Sequence, residues 1–434
     1  MEATNSVNTL ADHLFRHEST KMVSILTKIF GTENLETAED VVQETLIQAL
    51  QVWKFKGIPA NPSAWLFRVA KNKAIDVIRK NKYSIQYDFS DGEKILLTSE
   101  YTITRAMENL WKEELIEDDL LRMMFACCHP SISAENQITL MLKTLCGFST
   151  PEIAKAFLTS EDTISKRLYR TKEFFRQHKI KLVIPSGEEL KLRTDSVLNT
   201  IYLLFNEGYS SANSDHPIRQ DVMNEAMLLC KLLTENRYTQ VPQAFALMAL
   251  ICFHSARSES RVSANGELIL LPMQDRSKWD KQLIQKGNEY MSMAAFGNVV
   301  SSYHLEAAIA YEHCMAANFK ATDWDKIIKY YDWLCKVSPS PVNELNKVVA
   351  IMQVKDAKTA LQELESIQDK EKLTSYYLYY GLLGEIHTRL NDFEKAKYYL
   401  ESAIQLTTSE KEKKILTNKL EEIGNQVGGM RNQV

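Results

Sequence analysis

The feature that most constrains the fold of this chain is the scarcity of residues that interrupt a helix. Only 14 glycines and 10 prolines occur among the 434 residues, whereas average usage is about 7% and 5%. Between them, apolar residues recur at the three- and four-residue intervals of amphipathic helices. We therefore predict an all-α fold of long helices joined by short turns. At about 150 residues per domain, the length allows two to four domains.

Charge and hydropathy narrow the class of protein. The net charge is −4, so any contact with nucleic acid must come from local basic patches. The N-terminus lacks a charged leader followed by an apolar run, and no stretch of about 18 uncharged apolar residues occurs. We therefore expect neither a signal peptide nor a membrane span, and a cytoplasmic protein.

The seven cysteines are scattered and form no C-x-x-C pair. This pattern indicates reduced, buried thiols. Cys127, Cys128 and His129 are adjacent, but no second group of ligands accompanies them. We expect a buried helix end there, with no metal site and no cofactor.

Loops and composition divide the chain into five segments. Pro185, Ser186 and Gly187 form one clear boundary. The segments are a compact helical unit at 5–82, a polar linker at 83–118 with helical content near 103–115, a second helical unit at 119–182, a helical segment at 188–300, and paired helices at 301–425. A small hairpin or extended loop is predicted near 261–276, around Gly266.

A basic helix lies in the first unit. Asn61 is a good N-cap and Pro62 suits the first turn, so a helix is predicted to about Lys80. Residues 68–82 contain six basic residues and one acidic residue, a charge of +5, which favours phosphate binding. Trp65 could stack on an unpaired base, although taken alone it fits a core position better. The candidate residues are Asn61, Trp65, Arg68, Lys71, Asn72, Lys73, Arg79 and Lys80.

The preceding helix, over 39–53, has an acidic side. Asp40, Gln43 and Glu44 lie opposite apolar residues that include Leu50. No histidine or third carboxylate completes a metal or acid–base site. A solvated or protein-binding face is therefore expected.

Residues 138–176 predict a helix-turn-helix. Gly147 ends a first helix, Ser149 and Glu152 form a capping box, and Ser160 caps the next helix. Residues 160–181 carry a charge of +4, and such a helix can lie in the major groove of DNA. Ile164, Leu168 and Tyr169 are expected to pack inward. The candidate DNA-binding residues are Ser160, Thr163, Ser165, Lys166, Arg167, Arg170 and Lys172.

These segments resemble bacterial sigma factors of the extracytoplasmic-function (ECF) class. Residues 40–46 resemble the segment that docks on RNA polymerase, although Leu46 stands where the family usually has Phe. Residues 62–76 resemble the segment that opens and reads the minus-ten promoter element, and 129–170 the region that reads the minus-thirty-five element. The resemblance implies core RNA polymerase and promoter DNA as partners. Asp40, Gln43 and Glu44 would contact polymerase.

The C-terminal half resembles an ECF subgroup with a large helical extension. The similar segments are 206–209, 274–280 and 338–346. Residues 377–408 also resemble a tetratricopeptide repeat, with a weaker copy before them, although a generic array of helical hairpins explains the pattern almost as well. The small or medium residues involved are Gly384, Ala396, Leu400 and Ala403, and in the weaker copy Ala350, Ala360 and Leu364.

Within the extension, Asp275, Arg276, Trp279 and Asp280 are expected to form a buried polar network rather than a ligand site, because buried charges need partners. A regulatory protein or ligand could bind the extension, which would then either restrain or assist the factor.

Two other functions remain open at this point. A helix-turn-helix regulator with a sensing repeat domain would bind duplex DNA without polymerase. A repeat scaffold would bind only proteins, which the two basic helices disfavour. No Walker loop, zinc pattern or nucleophile motif occurs, so no enzymatic activity is expected.

Overall fold

The computed structural model confirms the all-α prediction. It describes residues 2–80, 86–88, 94–96, 113–157, 159–210, 218–263, 266–407 and 409–431. These residues form two compact units, Met1–Leu204 and Phe205–Val434, and the boundary falls within one helix. Among the helices described, none has both the length and the apolar character needed to cross a membrane.

The first unit contains seven complete helices and most of an eighth. They are α1 (Glu2–Phe30), α2 (Leu35–Lys56), α3 (Pro62–Lys80), α4 (Glu113–Cys127), α5 (Ala134–Thr144), α6 (Thr150–Ala156), α7 (Glu161–His178) and α8 (Gly187–Tyr209). One pair of short antiparallel strands, β1 (Gln86–Asp88) and β2 (Lys94–Leu96), was not predicted and lies in the polar linker. Most of the helical content expected near 103–115 lies outside the described residues.

Helix α1 is at the centre of the first unit. Its residues Met22, Ile25, Leu26 and Ile29 are all at most 1% exposed. Helices α2, α3, α4 and α5 all pack against it. A helix buried on several sides in this way supplies a common core for everything packed around it.

The end of α4 carries the adjacent cysteines. Cys127 and Cys128 are fully buried, as expected for thiols at a buried helix end. The Cys127 sulfur lies 3.4 Å from the hydroxyl of Thr144 on α5. Burial raises the pKa of Cys127 to about 12, so this thiol stays protonated and packs as a small apolar group.

The second unit contains ten further helices. They are α9 (Gln220–Glu235), α10 (Pro242–Ser255), α11 (Lys281–Ala294), α12 (Ser302–Met315), α13 (Trp324–Val337), α14 (Pro341–Val354), α15 (Ala357–Glu365), α16 (Tyr377–Arg389), α17 (Phe393–Leu406) and α18 (Glu410–Arg431). Helix α10 is apolar on all sides and packs against α9, α11 and α12. The hairpin predicted near 261–276 is confirmed by an antiparallel bridge between Val262 and Leu268.

From α12 to α18, each helix packs against the next one in the chain. Both the tetratricopeptide interpretation and the generic helical array predict this nearest-neighbour packing. Gly384 shows why small residues recur there. A Cβ atom at this position would lie 2.7 Å from Cγ of Leu400, so α16 and α17 approach too closely for a larger residue.

We predict that Gly384→Ala destabilises the second unit. The added methyl group must displace Leu400, which is 1% exposed, and overpacking of this kind costs about 1–3 kcal/mol. Gly424 in α18 is the control, because nothing lies within 4 Å of the Cβ it would acquire. There, alanine should stabilise by up to about 1 kcal/mol through its helix propensity. Urea unfolding measures both changes. A Gly384→Ala midpoint at or above that of the parent chain would contradict the close packing.

Candidate functional site

Local capping places α3 as the sequence predicts. The Asn61 side chain accepts a hydrogen bond from the backbone N–H of Ala64 at 2.9 Å. Leu66, Ala70 and Ala74 then form a fully buried stripe. The basic residues of α3 therefore lie on the sides and on the outer face of the helix.

The predicted minus-ten residues are not equivalent. Five are exposed: Asn61, Arg68, Asn72, Arg79 and Lys80. Lys71, Lys73 and Trp65 are half-buried. Trp65 packs edge to face on Trp53, with ring centres 5.4 Å apart, which agrees with the core position favoured for Trp65 alone. Lys73 forms a 2.9 Å ion pair with Glu44 of α2, so the basic and acidic helices meet side by side.

The acidic side of α2 is exposed and continues into an apolar stripe. Asp40, Gln43 and Glu44 are exposed, and Ile47 and Leu50 follow with 47% and 57% of their surface exposed. The sequence interpretation placed Leu50 in the core, which is wrong. The spacing from Asp40 through Gln43 to Ile47 and Leu50 is the helical repeat that could have identified one continuous face.

Two further exposed apolar side chains flank the turn before α3. Phe55 is 84% exposed and Ile58 is 52% exposed. The composition around Gly57 indicated a loop, but nothing in the sequence singled out Phe55. A large apolar residue with so much exposed surface can bind a flat partner group at little conformational cost.

The predicted caps of the helices at 138–178 are confirmed. The backbone N–H and hydroxyl of Ser149 both donate to the Glu152 carboxylate at 2.7 Å. Burial alone would raise the pKa of Glu152, but these bonds and a 2.6 Å ion pair with Arg16 hold it below its usual value. The Ser160 hydroxyl accepts from the N–H of Thr163 at 3.1 Å. These contacts fix where α6 and α7 begin.

Helix α7 presents a narrower outer face than expected. Ser165, Lys166 and Arg170 are exposed. Tyr169 was expected to pack inward, but it is 64% exposed and joins this face, while Thr171 takes a buried position. The spacing of apolar residues predicted the centre of the buried face of α7 correctly. It did not predict the edge of that face, because Tyr169 lies at the boundary between the buried and the exposed face.

Two predicted DNA-binding residues form ion pairs with acidic side chains of the first unit. Arg167 forms a 2.6 Å ion pair with Glu135. Lys172 forms a 2.6 Å ion pair with Glu39 of α2, in which both side chains are less than a fifth exposed. Both basic groups are thus engaged by carboxylates of the same chain.

The C-terminal half of α7 is linked to the start of α2. Beyond the Lys172–Glu39 pair, Arg176 pairs with Glu36 at 3.3 Å. The Thr32 hydroxyl donates to the carbonyl of Ile180, just past the end of α7. The basic helix and the acidic helix thus neutralise each other at one edge of the first unit.

The polar network predicted in the extension is only half correct. Arg276 and Trp279 are inside: Arg276 donates to the carbonyls of His313 and Ala316 at 2.6 Å, and Trp279 donates to the Ser260 hydroxyl at 2.8 Å. Asp275 and Asp280 are exposed caps. Asp275 accepts from the backbone N–H and hydroxyl of Ser277, and Asp280 accepts from the N–H groups of Gln282 and Leu283. This capping explains aspartate at both positions without burial.

No cluster of three or more potential metal ligands occurs within the described part of the chain. Three exposed surfaces of the first unit are candidates for function: the α2 stripe, defined as Asp40, Gln43, Glu44, Ile47 and Leu50, the exposed basic side of α3, and the outer face of α7.

Comparison with known proteins identifies the first of these regions. The family described as Sigma-70 region 2 matches residues 14–83, and a family of unknown function, DUF6596, matches residues 193–295. The chain is 32% identical over 379 residues to the uncharacterized protein R00370 of Rhizobium meliloti (strain 1021), covering 87% of this chain and 88% of that protein. No solved structure matches the chain.

A named relative adds to this match. The chain is 31% identical over 139 residues to the ECF RNA polymerase sigma factor SigL of Mycobacterium tuberculosis, covering 32% of this chain and 72% of SigL. The resemblance noted in the residues of α2 and α3 is thereby confirmed. The chain belongs to the ECF sigma factors and carries a large helical C-terminal extension.

Proposed function

We propose that the chain binds core RNA polymerase and directs promoter-specific initiation of transcription in the cytoplasm, without catalysing a reaction itself. The observation that carries this proposal is the pairing of α2 and α3 inside the Sigma-70 region 2 match. The α2 stripe would dock on polymerase, with Asp40, Gln43 and Glu44 giving charge and polarity. Ile47 and Leu50 would supply the apolar area that a protein interface needs.

The basic side of α3 would bind the minus-ten element. Arg68, Asn72, Arg79 and Lys80 are exposed and would contact the backbone of melted DNA. Phe55 and Ile58 lie beside the loop that leads into α3, where an exposed ring can stack on an unpaired base. Trp65 would position α3 through its contact with Trp53 and offer only its exposed edge.

The outer face of α7 would read the minus-thirty-five element as the second helix of a helix-turn-helix. Ser165, Lys166, Tyr169 and Arg170 are the exposed residues there. Lys172 would reach DNA only after its ion pair with Glu39 breaks. A regulator acting on duplex DNA alone would have no use for the α2 stripe, which makes that alternative weaker.

The proposed division of labour follows the segments of the sequence. Residues 5–82 would bind polymerase and the minus-ten element, 83–118 would connect, and 119–182 would bind the minus-thirty-five element. Residues 188–300 and the repeats at 301–425 would support or restrain initiation, through a bound protein or ligand.

The first prediction concerns polymerase binding. The full chain with core polymerase should give a discrete run-off transcript from DNA upstream of its own gene. Asp40→Ala should lower binding to core polymerase about tenfold, because it removes a charge from the α2 stripe, the proposed docking surface. Glu421→Ala, which removes an exposed carboxylate from α18 in the second unit, is the control. Absence of both a transcript and co-purification with core polymerase would refute the proposal.

The second prediction concerns duplex DNA. If Arg170 contacts a base, Arg170→Ala should weaken binding of the polymerase–sigma complex to promoter DNA by about 1–3 kcal/mol. If Arg170 contacts a phosphate instead, the variant should reduce by about 1 the slope of the logarithm of the binding constant against the logarithm of the salt concentration. Lys336→Ala removes one exposed positive charge from α13 and should change neither quantity. Anisotropy titrations at several salt concentrations distinguish these results. Equal behaviour of the two variants would exclude Arg170 from the interface.

The third prediction concerns the link between α2 and α7. Glu39→Gln leaves the Lys172 ammonium largely buried without its partner and should cost about 2 kcal/mol. The carboxylate of Glu44 is 65% exposed in its pair with Lys73, so Glu44→Gln should cost under about 1 kcal/mol. Chemical denaturation of the full chain measures both. Equal small losses would show that the α2–α7 contact adds little stability.

A further inference from the structure

Three arginines meet in the second unit around two aromatic rings. Arg257 and Arg276 lie over Trp279, with guanidinium carbons 5.5 and 4.4 Å from the ring centre. Arg261 lies 3.6 Å from the ring centre of Tyr209, and Arg257 also donates to the Tyr209 hydroxyl at 3.2 Å. The two rings therefore join the three cations into one cluster.

This cluster has no acidic partner within the described residues. None of the three arginines forms an ion pair there. Arg261 donates to the carbonyl of Tyr209 at the end of α8, and Arg276 donates to the carbonyls of His313 and Ala316 at the end of α12. Each helix end supplies roughly half a negative charge. About two positive charges therefore remain unbalanced.

Two donors of the cluster are also buried without a hydrogen-bond partner. They are Nε of Arg257 and Nη2 of Arg276, and Arg257 as a whole is only 7% exposed. Hydrogen bonds to carbonyls at helix ends explain the position of Arg261 and satisfy some of the donors of Arg276. Arg257 has only a hydrogen bond to the Tyr209 hydroxyl, although burying a charged donor without a partner is strongly unfavourable.

The neighbouring histidines do not add charge. Burial and the adjacent arginines lower the pKa of His254 well below its ordinary value and that of His313 to about 3. Both rings are neutral at physiological pH, so the local excess of charge comes from the arginines. Burial and Arg257 also lower the pKa of Arg261 and Arg276.

We propose that this cluster binds the phosphoryl group of a small molecule, with Arg257 and Arg276 as the principal donors. A phosphoryl group carries a charge of about −1.5 to −2 and three acceptor oxygens, which matches the excess charge and the unfilled donors. A single carboxylate would balance only half of that charge. Guanidinium groups bind phosphate through paired N–H donors.

The site lies within the match to the family of unknown function at 193–295, apart from His313 and Ala316. Some of its residues lie in the segments 206–209 and 274–280, which resemble the ECF subgroup with a large helical extension. The proposal does not depend on the role of the chain in transcription.

The test uses the full chain in chloride buffer of constant ionic strength. Inorganic phosphate should raise the melting temperature saturably, since a ligand of the native state stabilises it. Acetate at the same ionic strength should not. A parallel titration with a hexose monophosphate distinguishes the two possible ligands. Tighter binding than that of inorganic phosphate identifies a phosphorylated metabolite as the ligand, and weaker binding identifies the free phosphate ion. Either result supports the phosphoryl site.

Variants locate the binding. Arg257→Met should abolish the phosphate response while leaving the chain in chloride as stable as before, because it removes a buried cation without a counter-ion. Arg237→Met is the matched control: Arg237 is exposed and lies 4.5 Å from the ring centre of Tyr238, and its loss should leave the response intact. An unchanged response in Arg257→Met would overturn the proposal.

Arg257→Lys provides a second variant, which keeps the charge but loses the paired donors. It should bind phosphate about tenfold more weakly. Circular dichroism establishes that each variant is folded. If neither variant folds, the 31P signal of phosphate with the unaltered chain decides. If the chain broadens this signal and excess hexose monophosphate reverses the broadening, the phosphoryl site is supported. If the signal does not broaden, the proposal is overturned.

Discussion

The first unit depends on a charged contact buried beside its central helix. The side chain of Asp119 on α4 is 1% exposed and lies 2.8 Å from Lys28 of α1 and 3.2 Å from Arg122. A carboxylate at such a position is tolerated only with cations beside it. The apolar face of α1 adds the packing that this polar contact cannot supply. Together they bring the part that carries α2 and α3 and the part that carries α7 onto one core.

That shared core explains why surfaces proposed for different partners touch. Glu39 precedes Asp40 of the α2 stripe, and its pair with Lys172 connects the helix proposed to dock on polymerase to the helix proposed to read DNA. The start of α2 and the end of α7 are thus joined by charge complementarity within the first unit, beside the residues proposed to dock on polymerase.

The sequence predicts what depends on near neighbours in the chain. Asn61, the Ser149–Glu152 box and Ser160 all act within three residues of their partners. The edges of helix faces are less certain, because a period of 3.6 residues fixes the centre of an apolar stripe and leaves its borders undetermined. Leu50 and Tyr169 are border residues, and both were assigned to the wrong side.

Contacts between distant residues escape such reasoning altogether. Lys172 and Glu39 are 133 residues apart, and Arg16 and Glu152 are 136 apart. In the sequence, Glu39 and Glu152 each have many basic residues as possible partners. Only the packing of the helices around α1 determines which of these residues lies close enough to pair. The strand pair of β1 and β2 was missed for another reason. Its three-residue strands are too short to show the alternation of a sheet.

The extension shows how a correct rule can lead to a wrong detail. Buried charges need partners, and from this rule Asp275 was expected beside Arg276. The aspartate is instead an exposed cap, because its carboxylate satisfies N–H groups at the start of a turn. The rule still applies to the arginines that remain inside. Helix carbonyls satisfy some of their donors but carry only partial charge, which is why we propose an anionic ligand for the arginines.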